Sequence, residues 1–405
     1  LNTIIKTFKK MTPLSKAAIA GILISSLGTF MFMPYVSIYI SDLGYRASFV
    51  GVVLLMFSIS QQGFTFFGGY LSDKLGTKYI CLAGLSIRIA GYIMFLFSLN
   101  KALIIMSAVL VGLGGALITP SLKVTMSIGN EEIRSSVFAL RNTVINFGAA
   151  IGPILGGVLY VYSINAIFLS AAILHVLVFL LIARKKQIVV EAEEKGNLPS
   201  PSIWAIFNDK RILYLTFAVS FFYFLYVQFN LSVPIYIKDF YHKPELSGTL
   251  FTFNGILIIV LQYPVMIFFQ KKFQDHIVLV LGMFSLACAF ITLVLSETIL
   301  ILFLFTFLLT LGEILLPPTL DNIATKLAPK KLMGSYLGFM TFSFMIGGGL
   351  GSLIGGYGYE WGSDHNIRLL WMLYSLVGLA GASLIWPVKK FLKESAQESI
   401  KEDAV

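Results

Sequence analysis

Apolar residues fill this chain in long runs separated by short groups of charged and turn-forming residues, without the regular apolar and polar alternation of a half-buried strand or a surface helix. A helix rises 1.5 Å per residue, so about 20 residues cross a hydrocarbon core of about 30 Å. The runs predict twelve spans at about 16–40, 46–72, 79–99, 102–125, 135–161, 164–183, 210–236, 246–270, 274–296, 298–325, 332–358 and 368–388. The first run is too long for a removable leader, and the next follows it without a small-residue cleavage pattern, so it is expected to stay as a helix.

One long polar stretch separates six spans from six. It begins at Arg184-Lys185-Lys186, passes through Glu191, Glu193 and Glu194, and contains Pro199-Ser200-Pro201. Its composition is that of a linker. The expected organisation is an N-terminal six-helix bundle (1–183), a cytoplasmic linker (184–209), a C-terminal six-helix bundle (210–388) and a cytoplasmic tail (389–405). The halves also repeat each other in order. Ile38-Tyr39-Ile40-Ser41-Asp42 of span 1 returns as Ile235-Tyr236-Ile237-Lys238-Asp239 of span 7, an offset of 197. Leu113, Gly114, Leu117, Pro120 and Leu122 of span 4 return in span 10 as Leu311, Gly312, Leu315, Pro318 and Leu320, an offset of 198. Gly148, Gly152, Gly156 and Gly157 of span 5 return in span 11 as Gly347, Gly351, Gly355 and Gly356, an offset of 199. A nearly constant offset over equivalent spans indicates duplication of a six-helix unit. The fold class expected is therefore an all-α membrane protein whose twelve helices form two pseudo-symmetric six-helix bundles.

Composition supports this reading. Of 405 residues 57% are hydrophobic and only 12% charged, where a soluble domain has roughly 25% charged residues. The net charge of +10 raises the question of nucleic acid, but Lys and Arg sit in small groups between apolar runs and form no basic face. They follow membrane topology instead. With both termini cytoplasmic, 23 basic residues fall in inner loops and span ends and 5 in outer ones (Arg46, Lys101, Lys238, Lys243 and Arg368), leaving Arg88 and Arg141 within spans. Cys81 and Cys288 both lie in apolar segments, which supports neither a disulfide framework nor a Cys-based metal site. No cofactor or metal is expected.

Between spans 2 and 3 stands Gly69-Tyr70-Leu71-Ser72-Asp73-Lys74-Leu75-Gly76-Thr77-Lys78. A carboxylate at a helix end, beside two cations and two glycines that permit close backbone approach, can act as a gating latch. The alternative is a solvated turn obeying the positive-inside rule, which explains Lys74 and Lys78 but not the glycine spacing. Span 5 carries Gly148-Ala149-Ala150-Ile151-Gly152-Pro153-Ile154-Leu155-Gly156-Gly157. Small residues four apart make a groove for a neighbouring helix, and Pro153 removes one backbone hydrogen bond. Helix packing alone accounts for the glycines, but Ser352 stands where the repeat would place a second proline.

These elements resemble the major facilitator superfamily, whose loop between spans 2 and 3 carries Gly-x-x-x-Asp-(Arg/Lys)-x-Gly-(Arg/Lys)-(Arg/Lys). Gly69, Asp73, Lys74, Gly76 and Lys78 match it, and Thr77 departs from it. The Gly-Pro-x-x-Gly-Gly element at Gly152, Pro153, Gly156 and Gly157 looks like the antiporter signature of its twelve-span drug:proton branch. One element is absent: efflux members usually place an Arg in span 4, four residues before a glycine, where Ala108 precedes Gly112 here. The resemblance implies the major facilitator fold and alternating access, with spans 1, 4, 7 and 10 lining a central cavity. The substrate candidates it implies are Tyr35, Tyr39, Thr119, Tyr223, Tyr226, Gln228 and Asn230, joined by Asn142 and Asn146 of span 5. Aromatic faces with a few amides suit an amphipathic organic molecule.

Charge within a span is costly, roughly 2.5–3.5 kcal/mol even on a lenient insertion scale, and so points to function. Glu313 lies in span 10 between Gly312 and Pro317-Pro318 and is the expected proton site, with Arg141 as possible charge partner and Arg88 a further coupling candidate. A static ion pair is the competing explanation. His175 belongs to the residue type that titrates nearest neutrality, although a lone His in a span is more often a packing residue. Asp321, close to Lys326 at the inner end of span 10, is assigned a topological role.

No Gly-x-x-x-x-Gly-Lys-(Ser/Thr) loop supports a primary pump, and His175, His242, His276 and His365 show no metal-ligand or nucleophile spacing. An enzyme is not expected, nor a channel, for want of a filter loop or charge ring. The expected function is export of a drug-like or amphipathic compound by proton antiport, from a monomer in a bacterial plasma (inner) membrane. The partners are then a small-molecule substrate, protons and the lipid bilayer. Export of a siderophore, metallophore or other secreted metabolite is the alternative, and a non-transporting sensor or scaffold the alternative of another class.

Overall fold

The protein is described here by a computed structural model covering residues 8–97, 100–127, 134–185, 203–328, 336–337 and 339–392. All regular structure among them is helical: α1 Pro13–Asp42, α2 Ala47–Ser58, α3 Thr65–Leu75, α4 Thr77–Leu96, α5 Lys101–Ser127, α6 Arg134–Tyr162, α7 Ile164–Ala183, α8 Lys210–Tyr226, α9 Ser232–Tyr236, α10 Glu245–Lys272, α11 Asp275–Leu295, α12 Ile299–Leu327, α13 Thr341–Asp364 and α14 Ile367–Ile385. Ten described segments are long and apolar enough to cross a membrane. The two other expected spans are helical but depart from a simple apolar rod. Span 2 is divided between α2 and α3 by a π-helical turn at Ile59–Gly63, and the described part of span 11 is dominated by α13, whose glycines lower its hydropathy. Most of the expected linker lies outside the described residues, and its end, Ile203–Asn208, is a 3₁₀ turn.

Local chemistry sets several helix ends. Thr12 caps α1 by accepting from Ser15 N at 3.2 Å, with Pro13 in the first turn. Ser163 and Asn366 cap α7 and α14 in the same way. Span 7, expected as one helix over 210–236, is interrupted by the 3₁₀ turn Val227–Phe229, and a π turn at Ile237–Tyr241 follows its expected end. Pro234 explains the break, because it has no N–H for the carbonyl of Asn230. That oxygen accepts instead from the Ser37 hydroxyl, at 2.7 Å.

The chain forms two compact units. The first holds Leu1–Lys195 with Asn230–Gly255, the second Gly196–Phe229 with Ile256–Val405, so the later part of span 7 and the start of α10 pack with the first unit. An aromatic cluster of Phe32, Tyr39, Tyr92, Phe95 and Phe168 fills one region of the first unit, with Phe95 and Phe168 stacked at 5.1 Å. In the second unit Phe290 meets Phe305 and Tyr374, both at 5.3 Å. The outward faces are apolar: α7 exposes Leu169, Ile173, Leu177 and Leu180, and α14 exposes Met372, Leu373, Leu376 and Leu379. Such continuous apolar exposure suits lipid.

The repeat in sequence is also a repeat in packing. In the first unit α6 lies against α1 through its glycines: a Cβ on Gly152 would sit 2.9 Å from Met31 N, and one on Gly156 2.5 Å from Met31 O. In the second unit α13 lies against α8, where a Cβ on Gly351 would sit 2.7 Å from Phe224 O and one on Gly347 would strike the Ser220 carbonyl. Backbones this close exclude any side chain.

Candidate functional site

Among the described residues, one polar centre within the helices of each unit holds the charges singled out in the sequence. In the first unit Ile22, Ser25, Ser26, Thr29 and Phe30 of α1, Gln61 of the π turn, Arg88 of α4, Ile118, Thr119 and Leu122 of α5, and Arg141 and Ile145 of α6 line an open cavity of about 200 Å³. Arg88 reaches it because α5 has glycines where α4 crosses. A Cβ on Gly115 would lie 3.2 Å from Arg88 Nη1, and one on Gly114 would overlap the Arg88 Cβ. A guanidinium thus stands beside span 4 although span 4 itself supplies no arginine.

Arg88 is 4% exposed. Its Nη2 donates to Thr29 Oγ1 at 3.1 Å, its guanidinium lies 5.9 Å from the Tyr92 ring centre, and its Nε has no hydrogen-bond partner among the described residues. Gln61 Oε1 is likewise buried and unpartnered. Arg141 Nη1 donates to Asn142 Oδ1 at 3.2 Å. Within the first unit no described carboxylate pairs with either arginine. His175 is fully buried nearby, with Nε2 3.1 Å from Ser25 Oγ and Nδ1 2.8 Å from Ala171 O. Those bonds fit a neutral ring that donates from Nδ1 and accepts at Nε2.

In the second unit Tyr226 donates its hydroxyl to Glu313 Oε1 at 2.9 Å. Phe222 stacks on Tyr226 at 5.7 Å, and Tyr223 meets Phe344 edge-on at 5.0 Å. Pro317 and Pro318 follow Glu313 in α12 and carry no N–H, which withdraws the usual helical donors from the carbonyls of Glu313 and Ile314. The carboxylate therefore stands on a turn whose backbone is already loosened.

Other residues singled out in the sequence have structural surroundings. Tyr35 is buried, its hydroxyl 3.5 Å from Pro153 O, and its ring stacks on Tyr160 at 5.4 Å. Tyr39 donates to Phe95 O at 2.9 Å inside the aromatic cluster. Gln228 is fully buried, donating to Phe224 O and Gly351 O at 2.9 and 2.8 Å and accepting from Tyr374 at 3.3 Å, so it stitches spans 7, 11 and 12 together. Asn230 contributes its carbonyl to Ser37. Asn142 is exposed and Asn146 half-buried.

In the loop between spans 2 and 3, Gly76 takes φ 93°, a conformation that favours glycine and lets α3 turn into α4. Gly69 faces Pro120. Lys74 is exposed, and the Asp73 side chain lies outside the described residues. Lys78 bonds to Ala183 O at 2.8 Å and Lys185 O at 2.6 Å, closing the C-terminal end of α7. Across α6, the Gly148, Gly152, Gly156 and Gly157 positions face α1 residues between Ser26 and Tyr35. Beyond the expected residues, Asp42 pairs with Lys238 at 2.7 Å and accepts from Tyr160 at 3.2 Å, while Lys238 also reaches Ser41 Oγ at 2.9 Å. Ser41 and Lys238 are equivalents in the repeat. Thr29 and Gln61 are not among the residues the sequence singles out, although Ser60-Gln61-Gln62 is a conspicuous polar group inside an apolar span and π turns are frequent at functional sites.

Comparison with known proteins places this architecture. The family model described as Major Facilitator Superfamily matches residues 18–352. The chain is 28% identical over 384 residues to multidrug resistance protein MdtH of Shigella dysenteriae, covering 93% of this chain and 94% of that protein. It is 27% identical over 385 residues to the protein of the same name from Escherichia coli K12, with the same coverage. Among solved structures it is similar to the nucleoside transporter NupG, at TM-score 0.79 and 14% identity over 94% of this chain and 100% of that one. It is also similar to the peptide transporter POT in complex with sulfate, at TM-score 0.77 and 16% identity over 94% and 95%. At such identities the structures speak for the fold alone. The paired six-helix repeat, the motif between spans 2 and 3 and the family match over most of the sequence together show that this chain belongs to the major facilitator superfamily and is a membrane transporter of small molecules, not an enzyme.

Proposed function

We propose that the protein exports an amphipathic organic molecule in exchange for protons, by alternating access, with both termini on the cytoplasmic side of a bacterial inner membrane. The observation that carries the coupling assignment is the Tyr226–Glu313 hydrogen bond, which holds an ionisable carboxylate within the apolar stretch of α12. Glu313 takes and releases the coupling proton, and Tyr226 orients it. The names of relatives aligned over 93% of the chain support a drug-like cargo, and the Gly-Pro-x-x-Gly-Gly element of span 5 supports antiport. The excess of basic residues on one side of the span pattern supports the orientation. The segment from Gly69 to Lys78 acts as the gating latch.

Accumulation of a panel of fluorescent amphipathic dyes in cells expressing the protein tests the reading. At least one dye is expected to be excluded by wild type, to re-enter when a protonophore collapses the gradient, and to be retained by cells expressing Glu313→Gln at equal membrane abundance. Exclusion of that dye by Glu313→Gln as efficient as by wild type would refute the coupling assignment.

A further inference from the structure

A buried guanidinium without a counter-charge is expensive, because the interior cannot replace its hydration. Arg88 is in that position, 4% exposed with Nε unpartnered, and its cavity is also lined by Arg141. No described carboxylate of the first unit pairs with either arginine. The remaining lining is of two kinds, hydroxyls such as Thr29 and Thr119, and apolar side chains such as Phe30 and Ile118. Such a wall accommodates one charged end and one apolar body.

We propose that this cavity binds the carboxylate of an amphipathic organic anion, and that carboxylate-bearing compounds are therefore a cargo class of the transporter. A planar guanidinium presents paired donors that match the two oxygens of a carboxylate. Arg88 donates to Thr29 from Nη2 and leaves Nε without a partner, so its fork keeps donors for the ligand, while Arg141 supplies the second charge from α6. Gln61, on the π turn, offers its amide N–H to the same group. The apolar side chains receive the body of the molecule. The inference rests on the transport reading and adds to it a cargo class, amphipathic organic anions.

The test is binding to the purified full-length chain in lipid nanodiscs, with paired probes that differ only in charge: 2-naphthoate and 2-naphthamide, 4-biphenylcarboxylate and its primary amide. Sodium sulfate forms a separate arm. Wild type should bind each carboxylate about tenfold or more tightly than its amide. Arg141→Gln and Arg88→Gln should remove that preference while leaving amide affinity within about twofold. Thr119→Glu, which places a carboxylate on the cavity wall without touching the buried arginine, should remove it as well and guards against misfolding of the Arg88 variant. Equal affinity for acid and amide in wild type would overturn the proposal, as would a preference that survives both arginine substitutions. Sulfate binding as tight as the aryl carboxylates would also overturn it, by showing a site for bare oxyanions. Proton release driven by any probe that binds, acid or amide, reports separately on the antiport reading: release by wild type and not by Glu313→Gln supports it, and equal release by both overturns it without touching the carboxylate preference.

Discussion

At the scale of single residues, ionisable groups in this chain matter according to what surrounds them. Glu313 and Arg88 are each one charge in an apolar helix, yet Glu313 has a tyrosine hydroxyl on one oxygen and Arg88 has a threonine on one nitrogen and nothing on another. Asp209 shows the contrasting, purely structural case. It caps α8 through Arg211 N at 2.9 Å, pairs with Arg211 Nε at 3.2 Å and accepts from Tyr336 at 2.8 Å. Burial alone would raise its pKa, but the hydrogen bonds from Arg211 and Tyr336 outweigh burial and hold it below the ordinary value. A carboxyl depressed in the folded state stabilises the fold above its unfolded pKa, about 3.9, and that contribution fades as pH falls through the lower folded value. Asp209→Ala is expected to cost about 1 kcal/mol at neutral pH, as cap removal generally does. In thermal unfolding of the detergent-solubilised protein, the gap between wild type and variant should then close as pH is lowered below about 4. A gap that stays constant into acid would contradict the assignment.

At the scale of elements, the glycine-lined contacts of α6 on α1 and of α13 on α8 are one design used twice. Adjacent glycines of α13 provide a test. A Cβ on Gly347 would enter the Ser220 carbonyl, whereas one on Gly348 would meet only the Phe344 ring of its own helix, at 3.6 Å. Gly347→Ala should lower stability by about 1–3 kcal/mol through overpacking. Gly348→Ala should be neutral or stabilising by up to about 1 kcal/mol, since alanine is the better helix former. Equal unfolding midpoints for the two variants would mean that the helices do not approach as described. The positions of the long helices and the repeat were legible in the sequence, because apolar length and glycine spacing are local signals. The breaks in spans 2 and 7 were not. Nothing in Ile59–Gly63 forbids an ordinary helix, and the interruption before Pro234 depends on Ser37, nearly two hundred residues earlier, receiving the freed carbonyl.

At the scale of the whole molecule, membrane class, approximate span number and superfamily followed from length, charge distribution and two short motifs. The candidate sites were legible only in part. Glu313, Arg88 and Arg141 stand out as charges in apolar runs, but their neighbours do not, since Thr29 and Gln61 reach Arg88 only after α1, the π turn and α4 have packed. Tyr35, Tyr39 and Gln228 show the converse. Polar atoms in expected cavity-lining spans draw attention, and here they satisfy backbone carbonyls inside the bundle. A hydroxyl or amide within lipid must find a partner whether or not it serves a substrate, so residue type alone does not separate the two roles.

Coupling of cargo to protons at Glu313 can be measured as substrate-induced proton release from purified protein in proteoliposomes with an imposed pH gradient. A compound that binds the wild-type protein should collapse the gradient at a rate proportional to protein content. Glu313→Gln should reduce that rate about a hundredfold or more, the scale on which removal of a proton-transferring group acts, while still binding the compound. Undiminished proton release from Glu313→Gln would exclude Glu313 and place the coupling group elsewhere in the chain.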